Sequence, residues 1–247
     1  MNANTLLIGL SRQITLQRQM DVVANNVANI TTDGFKRRML RVGEHVMPIA
    51  RADASPAGSR RISFVSDRTN SLDISGGAIE RTGNPMDVAI RGAGFLVVET
   101  PAGERYTRNG ALSLNGTGEL VTSDGHRVLT DQGAVSFNPA DGGITIAGDG
   151  TISTAQGVRG KLRLVSFTAP DALASEGRNL LSAREPAVPA GPSVRLDTGA
   201  LERSNVSGVA EITRLLDISR AYTGIAQMMQ RTDELRRTTL SRLADIT

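Results

Sequence analysis

The amino-acid sequence predicts an α+β protein, with long N- and C-terminal helices forming a coiled-coil-like inner domain and a central, mostly antiparallel all-β module. Three observations predict it. All nine prolines lie between Pro48 and Pro192, together with twenty of the 26 glycines, so the ends lack proline and are poor in glycine. Apolar residues at each end recur every three to four positions, the period of one helical face. The middle alternates short β-type runs with Gly-bearing turn signals.

Residues 1–34 read as the N-terminal helix of the inner domain. Leu6, Leu7, Leu10, Ile14, Met20, Val23, Val27 and Ile30 form its stripe, interrupted at Gln17. Asn4 is placed to cap the first free amides, and the run from Asn29 to Gly34 supplies the stop. At about 1.5 Å per residue the helix spans about 40 Å, and so narrow a stripe over that length asks for a partner helix. Residues 35–75 read as an extended, irregular connector punctuated by Pro48, Pro56 and Gly58. A connector of that length is expected to order against neighbouring subunits.

Residues 76–185 read as the β module. Its runs include Met86 to Ile90, Phe95 to Glu99, Arg105 to Thr107, Glu119 to Thr122, Arg127 to Thr130 and Lys161 to Phe167. Asn115-Gly116, Asp124-Gly125 and Asp149-Gly150 supply hairpin turns between runs, and Pro170 to Glu176 reads as a short helix. Pro186, Pro189 and Pro192 mark a returning connector over residues 186–204. Residues 205–247 read as the C-terminal helix, with a stripe of Val206, Val209, Ile212, Leu216, Tyr222, Ile225, Met229 and Leu235. Alone, that stripe forgoes about 1.5 to 3 kcal/mol of burial per large aliphatic side chain, so the terminal helices are expected to pair, antiparallel, within one chain.

Composition narrows the function. The 28 basic and 25 acidic residues leave a net charge of +3, a weak handle on a polyanion, and aromatics at 3% with no Trp disfavour base stacking; nucleic acid is not an expected partner. The one dense basic run, Lys36, Arg37, Arg38 and Arg41, reads as a solvated surface segment. There is no Cys, hence no disulfide and no thiolate metal site. No stretch approaches the ~18 apolar residues of a membrane span, so membrane insertion is not expected. Met1 to Leu10 lacks the charged start and apolar core of a signal peptide, which implies export without a cleaved leader if the chain leaves the cytoplasm.

No catalytic, cofactor-binding or metal site emerges. The two histidines, His45 and His126, read as ordinary surface residues, and no G-x-S-x-G elbow occurs. Gly92-Ala93-Gly94-Phe95 lacks the third glycine and the following helix of a dinucleotide loop, so the two glycines read as a tight turn entering a strand.

The specific words of the sequence lie at its ends and centre. Ala24 to Lys36 reads A-N-N-V-A-N-I-T-T-D-G-F-K. Gly199 to Val206 reads G-A-L-E-R-S-N-V, followed by Ser219-Arg220-Ala221-Tyr222. Thr82 to Phe95 reads T-G-N-P-M-D-V-A-I-R-G-A-G-F, and Tyr106 to Gly110 reads Y-T-R-N-G. In these words, which span nearly the whole chain, the sequence resembles the flagellar axial proteins that build the rod and hook of the bacterial flagellum.

The resemblance implies a structural, non-enzymatic subunit whose terminal helices pack into an inner tube while the β module sits outside. It implies assembly roles for Leu6, Leu10, Ile14, Met20, Val23, Asn25, Asn26, Val27, Asn29, Gly34 and Phe35 at one end. At the other it implies them for Leu201, Glu202, Ser204, Asn205, Val206, Val209, Ile212, Leu216, Arg220, Ala221, Tyr222, Ile225, Met229 and Leu235. Gly83, Asn84, Pro85, Asp87, Gly92, Gly94, Phe95, Tyr106, Thr107, Arg108 and Gly110 carry the β-module motif. The implied partners are copies of itself, other rod subunits and the flagellar export apparatus, and the implied location is the basal-body rod in the periplasmic space. No cofactor is implied. Length and the single β module favour a rod protein over the longer hook protein, and the short connector with the compact length favours a proximal rod subunit over a distal one. The alternative from another class is a β module that binds or modifies peptidoglycan.

Overall fold

The computed structural model describes residues 3–47, 62–138, 141–169, 173–177 and 179–244. The chain forms two compact units, one of residues 1–27, 40–69 and 208–247, the other of residues 28–39 and 70–207.

In the first unit, helix α1 spans Ala3–Ala28, in agreement with the long proline-free stripe. It already includes Ala3, so Asn4 lies in its first turn rather than capping it. Strands β1 (Arg38–Met47) and β2 (Ile62–Leu72) pair as a two-stranded sheet. The connector expected to be irregular therefore carries long strands, and the Pro48, Pro56 and Gly58 that punctuate it lie outside the described residues.

The second unit is built almost wholly of strands: β3 (Ile79–Arg81), β4 (Val88–Arg91), β5 (Phe95–Thr100), β6 (Gly103–Thr107), β7 (Leu112–Leu114), β8 (Leu120–Thr122), β9 (Arg127–Thr130) and β10 (Gly133–Ala134), then β11 (Thr145–Ile146), β12 (Thr151–Thr154), β13 (Gly157–Lys161), β14 (Leu164–Ser166), β15 (Leu173–Gly177), β16 (Leu180–Ala183), β17 (Val188–Pro189), β18 (Arg195–Thr198) and β19 (Ala200–Glu202). All the recorded pairings are antiparallel. β5 sits centrally, with β6 on one side and β9 and β14 on the other. Successive side chains of a strand point to opposite faces. Accordingly Leu96 and Val98 enter one core with Ile90, Leu120 and Val128, while Phe95 and Val97 enter a second with Leu129, Val165 and Leu173. A strand buried on both faces needs the unbroken apolar run Phe95-Leu96-Val97-Val98.

Two segments differ from expectation. Leu173–Gly177, read as helical, is strand β15 paired with β16, because Asn179 at φ 58° and Gly177 at φ 89° turn the chain back into a hairpin. The proline-marked segment 186–204 holds β17, β18 and β19, and β18 pairs residue for residue with β4 from Arg195–Arg91 to Thr198–Val88. It returns as part of the sheet structure.

Helix α2 spans Gly208–Ala244, and the three residues from Asn205 to Ser207, expected inside it, precede it outside any helix or strand. Within the first unit α1 and α2 are antiparallel. Asn26 donates Nδ2–H to Glu211 Oε2 at 3.2 Å near one end, and a Cβ on Gly9 would lie 3.4 Å from Met229 Sδ near the other. The distance is that of an ordinary van der Waals contact, so Met229 packs directly on the α1 backbone at Gly9. A cavity of about 230 Å³ opens beside that contact, between Ile8, Arg12, Ile225 and Met229.

The face turned inward differs from the apolar stripe read off the sequence. On α2 the less exposed positions include Glu211, Leu215, Ile218, Tyr222, Ile225, Met229 and Thr232, spaced by four and three in turn, with Ala226 half-buried beside Ile225. Val209, Ile212, Leu216 and Leu235 are exposed, Val209 to 81% and Leu216 to 53%. On α1, Val23 and Asn26 are buried while Leu10 and Ile14 are exposed. Polar residues can occupy the inner positions because their groups are satisfied locally. Thr232, for example, donates its hydroxyl to the Met228 carbonyl at 2.8 Å.

Candidate functional site

The three sequence motifs converge on one buried ionic knot in the second unit, centred on Glu202 at the end of β19. Its Oε1 accepts from Lys36 Nζ at 2.6 Å and from the Gly77 amide at 2.8 Å, and its Oε2 accepts from Arg108 Nε at 2.8 Å. Lys36, Arg108 and Glu202 are all nearly excluded from solvent. Lys36 closes the N-terminal motif, Arg108 belongs to the β-module motif, and Glu202 lies within the C-terminal one.

Each charge is bonded on its remaining sides. Lys36 Nζ also donates to the Ser75 carbonyl at 2.6 Å. The Arg108 guanidinium donates Nη1 to the carbonyls of Gly92 and Gly94, both at 2.9 Å, and Nη2 to that of Ile90 at 2.8 Å. The first two carbonyls belong to the turn between β4 and β5 and the third to β4 itself, so the arginine fastens the turn to its strand. Its Cζ lies 5.6 Å from the centre of the Phe95 ring. Gly94 has no side chain because a Cβ would run into Val194, and Gly92 turns the chain at φ 89°.

Electrostatics follow from burial. Burial works to raise the Glu202 carboxyl, but the Arg108 charge and the Lys36 hydrogen bond outweigh it and hold the group below the ordinary carboxylate value. Burial, seconded by the Arg108 charge, pushes Lys36 below the ordinary lysine value even though Glu202 pulls it the other way. Two cations share one carboxylate, and bonding to backbone carbonyls makes that tolerable.

Around the knot the chain is sewn together by backbone and amide contacts. The Gly34 amide donates to the Glu202 carbonyl at 2.6 Å, with Gly34 at φ 68° and packed so closely on the Arg108 carbonyl that a Cβ would overlap it. Asn205 accepts from the Arg37 amide at 2.7 Å and donates to the Asp73 carbonyl at 2.8 Å. Arg203 bridges Asp33 at 2.7 Å and Glu80 at 2.5 Å. A second cluster holds the Asn84-Pro85 turn, where Asp87 accepts from Thr82 Oγ1 at 2.7 Å and from Asn84 Nδ2 at 2.9 Å. The Gly199 amide donates to the Asp87 carbonyl at 2.8 Å. Thr107 donates to the Asn179 carbonyl at 3.0 Å, and Gly110 lies against the Val88 carbonyl, where a Cβ would overlap it.

The predicted site residues therefore divide. Gly34, Phe35, Leu201, Glu202, Asn205, Val206, Asp87, Gly92, Gly94, Phe95, Thr107, Arg108 and Gly110 are brought into the second unit's interior or its turns. Tyr106 stacks edge-on against Phe167, ring centres 4.8 Å apart. Gly83 turns at φ 77°, Pro85 is exposed, and Ser204 accepts from the Val206 amide at 3.3 Å. In the helices Val23 and Asn26 are buried, and Met20, Asn25, Val27, Tyr222, Ile225 and Met229 are half-buried. Arg220 and Ala221 are exposed, Asn29 accepts from the Thr32 hydroxyl at 3.1 Å, and the Leu6 side chain lies outside the described residues.

Sequence reasoning missed Lys36, which was taken as part of a solvated basic run. It is buried next to Phe35, where its ammonium meets the Glu202 carboxylate and the Ser75 carbonyl. Its position directly after the motif residues Gly34 and Phe35 was the available signal. Gly77 was missed because it acts only through its amide and through the absence of a side chain: a Cβ would overlap the Arg203 carbonyl.

A buried ionic knot that clamps the chain after one terminal helix to the chain before the other is the arrangement of a structural subunit. Comparison with known proteins agrees. Sequence models match over residues 6–36 (flagella basal body rod protein), 89–154 (flagellar hook protein FlgE/F/G D1 domain) and 197–243 (flagellar basal body rod FlgEFG protein C-terminal). The chain is 40% identical to the flagellar basal-body rod protein FlgF of Caulobacter vibrioides, over 98% of its own length and 99% of the relative's. It is 33% identical to FlgF of Mesorhizobium japonicum over 93% of each chain, and 31% identical to the rod protein FlgG of Bacillus subtilis over 94% and 96%. The chain belongs to the flagellar basal-body rod protein family and is a structural subunit of that rod.

Proposed function

We propose that this subunit occupies the proximal rod, the position of the FlgF proteins, and there forms part of the shaft that transmits motor torque. The observation that carries this reading is the near end-to-end similarity to the Caulobacter FlgF, higher than that to the Bacillus FlgG. The terminal helices form a coiled-coil-like inner layer, supported by the four-three spacing of the inward positions of α2. Val209, Ile212 and Leu216 on α2, with Leu10 and Ile14 on α1, supply apolar contacts to copies of the chain and to other rod subunits. The knot around Glu202 gives stiffness: load entering through either terminal segment meets a cross-link between the two before it reaches the hairpins. The subunit reaches the periplasmic space through the flagellar export apparatus.

Isolation of basal bodies tests the proposal. The subunit is expected in the rod fraction, and its deletion is expected to leave rods that stop short of the distal segment. Assembly of the distal rod in the deletion strain would overturn the proximal placement.

A further inference from the structure

We propose that Asn26 and Glu211 set the register and orientation of the α1–α2 pair, selecting it over slipped pairings and over α2 packed on the α2 of a second copy. Both side chains are 1% exposed, and they meet across the seam at 3.2 Å. The other recorded contact, Gly9 with Met229, lies the same helical length away on each partner to within one residue, so one register satisfies both. Between them the inward positions of α2 are Leu215, Ile218, Tyr222 and Ile225. Apolar packing of this kind is non-directional and is nearly as good one heptad away. An amide bonded to a buried carboxylate is not: a slip of one heptad either carries Glu211 past the end of α1 and sets Asn26 against Ile218, or carries Asn26 off the start of α2 and leaves Glu211 facing Gln19, and antiparallel pairing of two α2 helices takes Asn26 away altogether. A single polar position in an apolar seam is a known physical means of fixing register at some cost in stability.

This assignment does not depend on where in the rod the subunit sits, and it is read on the purified full-length chain. Gly9→Cys is combined in turn with Met229→Cys, and with Tyr222→Cys or Arg236→Cys, one heptad to either side. Disulfide yield under mild oxidation is expected to favour position 229 by tenfold or more. In the Asn26→Leu/Glu211→Leu background the three yields should come within about twofold of one another while helical circular dichroism is kept. The exchanged pair Asn26→Glu/Glu211→Asn should restore the preference. Comparable yields in the native background, a tenfold preference surviving in the leucine variant, or loss of helix in that variant would each overturn the proposal. So would an exchanged pair without the preference.

Discussion

Arg108 donates Nε–H to Glu202 at 2.8 Å with both side chains almost wholly buried, joining the residue that follows β6 to the last residue of β19. Neither charge faces water, so neither can be replaced by solvent when the other is lost. Truncating one member of a buried, hydrogen-bonded ion pair costs about 3 to 5 kcal/mol, chiefly because the survivor stays buried and uncompensated. Glu202→Ala strands two cations rather than one, and is expected at the upper end of that range. Urea unfolding followed by far-ultraviolet circular dichroism measures it.

The same knot sets a pH dependence. Glu202 has its folded value below the 4.5 of a free glutamate, and Lys36 below the 10.5 of a free lysine. Both groups thus bind fewer protons folded than unfolded, and stability rises with pH through each window. The Glu202 contribution is fully present above about pH 4.5 and is lost as pH falls through its folded value. The Lys36 contribution rises between its folded value and 10.5, as the cost of a buried ammonium is relieved. The stability gap between the native chain and Glu202→Gln should be flat near neutrality and close in acid. Lys36→Met should abolish the alkaline rise and leave the acid limb less steep. Denaturation midpoints taken across pH 3 to 11 check both signs.

Gly34 offers a backbone test. Its φ of 68° is one that a residue with a Cβ adopts only at a cost of about 1 to 2 kcal/mol, and here the added carbon also overlaps the Arg108 carbonyl. Gly34→Ala is expected to exceed that figure in thermal or urea unfolding. Gly143→Ala, at a glycine with nothing near its absent side chain and no positive φ, should be close to neutral.

The sequence made the element types legible where physics is local. Proline-free stripes gave both helices, and Asn115-Gly116 and Asp124-Gly125 gave turns at their places. It concealed what depends on partners distant in the chain. Strand β18 looked like proline-marked linker because its identity comes from pairing with β4, and β15 looked helical because residues 173–177 take their conformation from β16. The inner helix face was misread for a related reason. Hydropathy selects Ile212 and Leu216, which are exposed, whereas Glu211 and Asn26 are buried and bonded to each other. The motifs pointed to the right places without disclosing that Lys36, Arg108 and Glu202 are one site.

The exposed and buried faces of α2 separate folding from assembly. Ile218 is buried and Leu216, two positions away, is half in solvent. Ile218→Asp puts a carboxylate into the seam, at a cost of at least about 2 to 5 kcal/mol, the range for losing a buried aliphatic side chain before any charge is counted. It should melt the helical unit of the purified chain. Leu216→Asp changes an exposed position and should leave stability within about 0.5 kcal/mol of the native chain. Yet it places a charge on the apolar surface through which the subunit is proposed to meet its neighbours, where contact with another helix would bury it unpaired. The expected phenotype is a normally folded, secreted subunit that is missing from isolated basal bodies, in cells that do not spread in soft agar. Swimming at the native rate with Leu216→Asp would move the assembly surface to another face of α2.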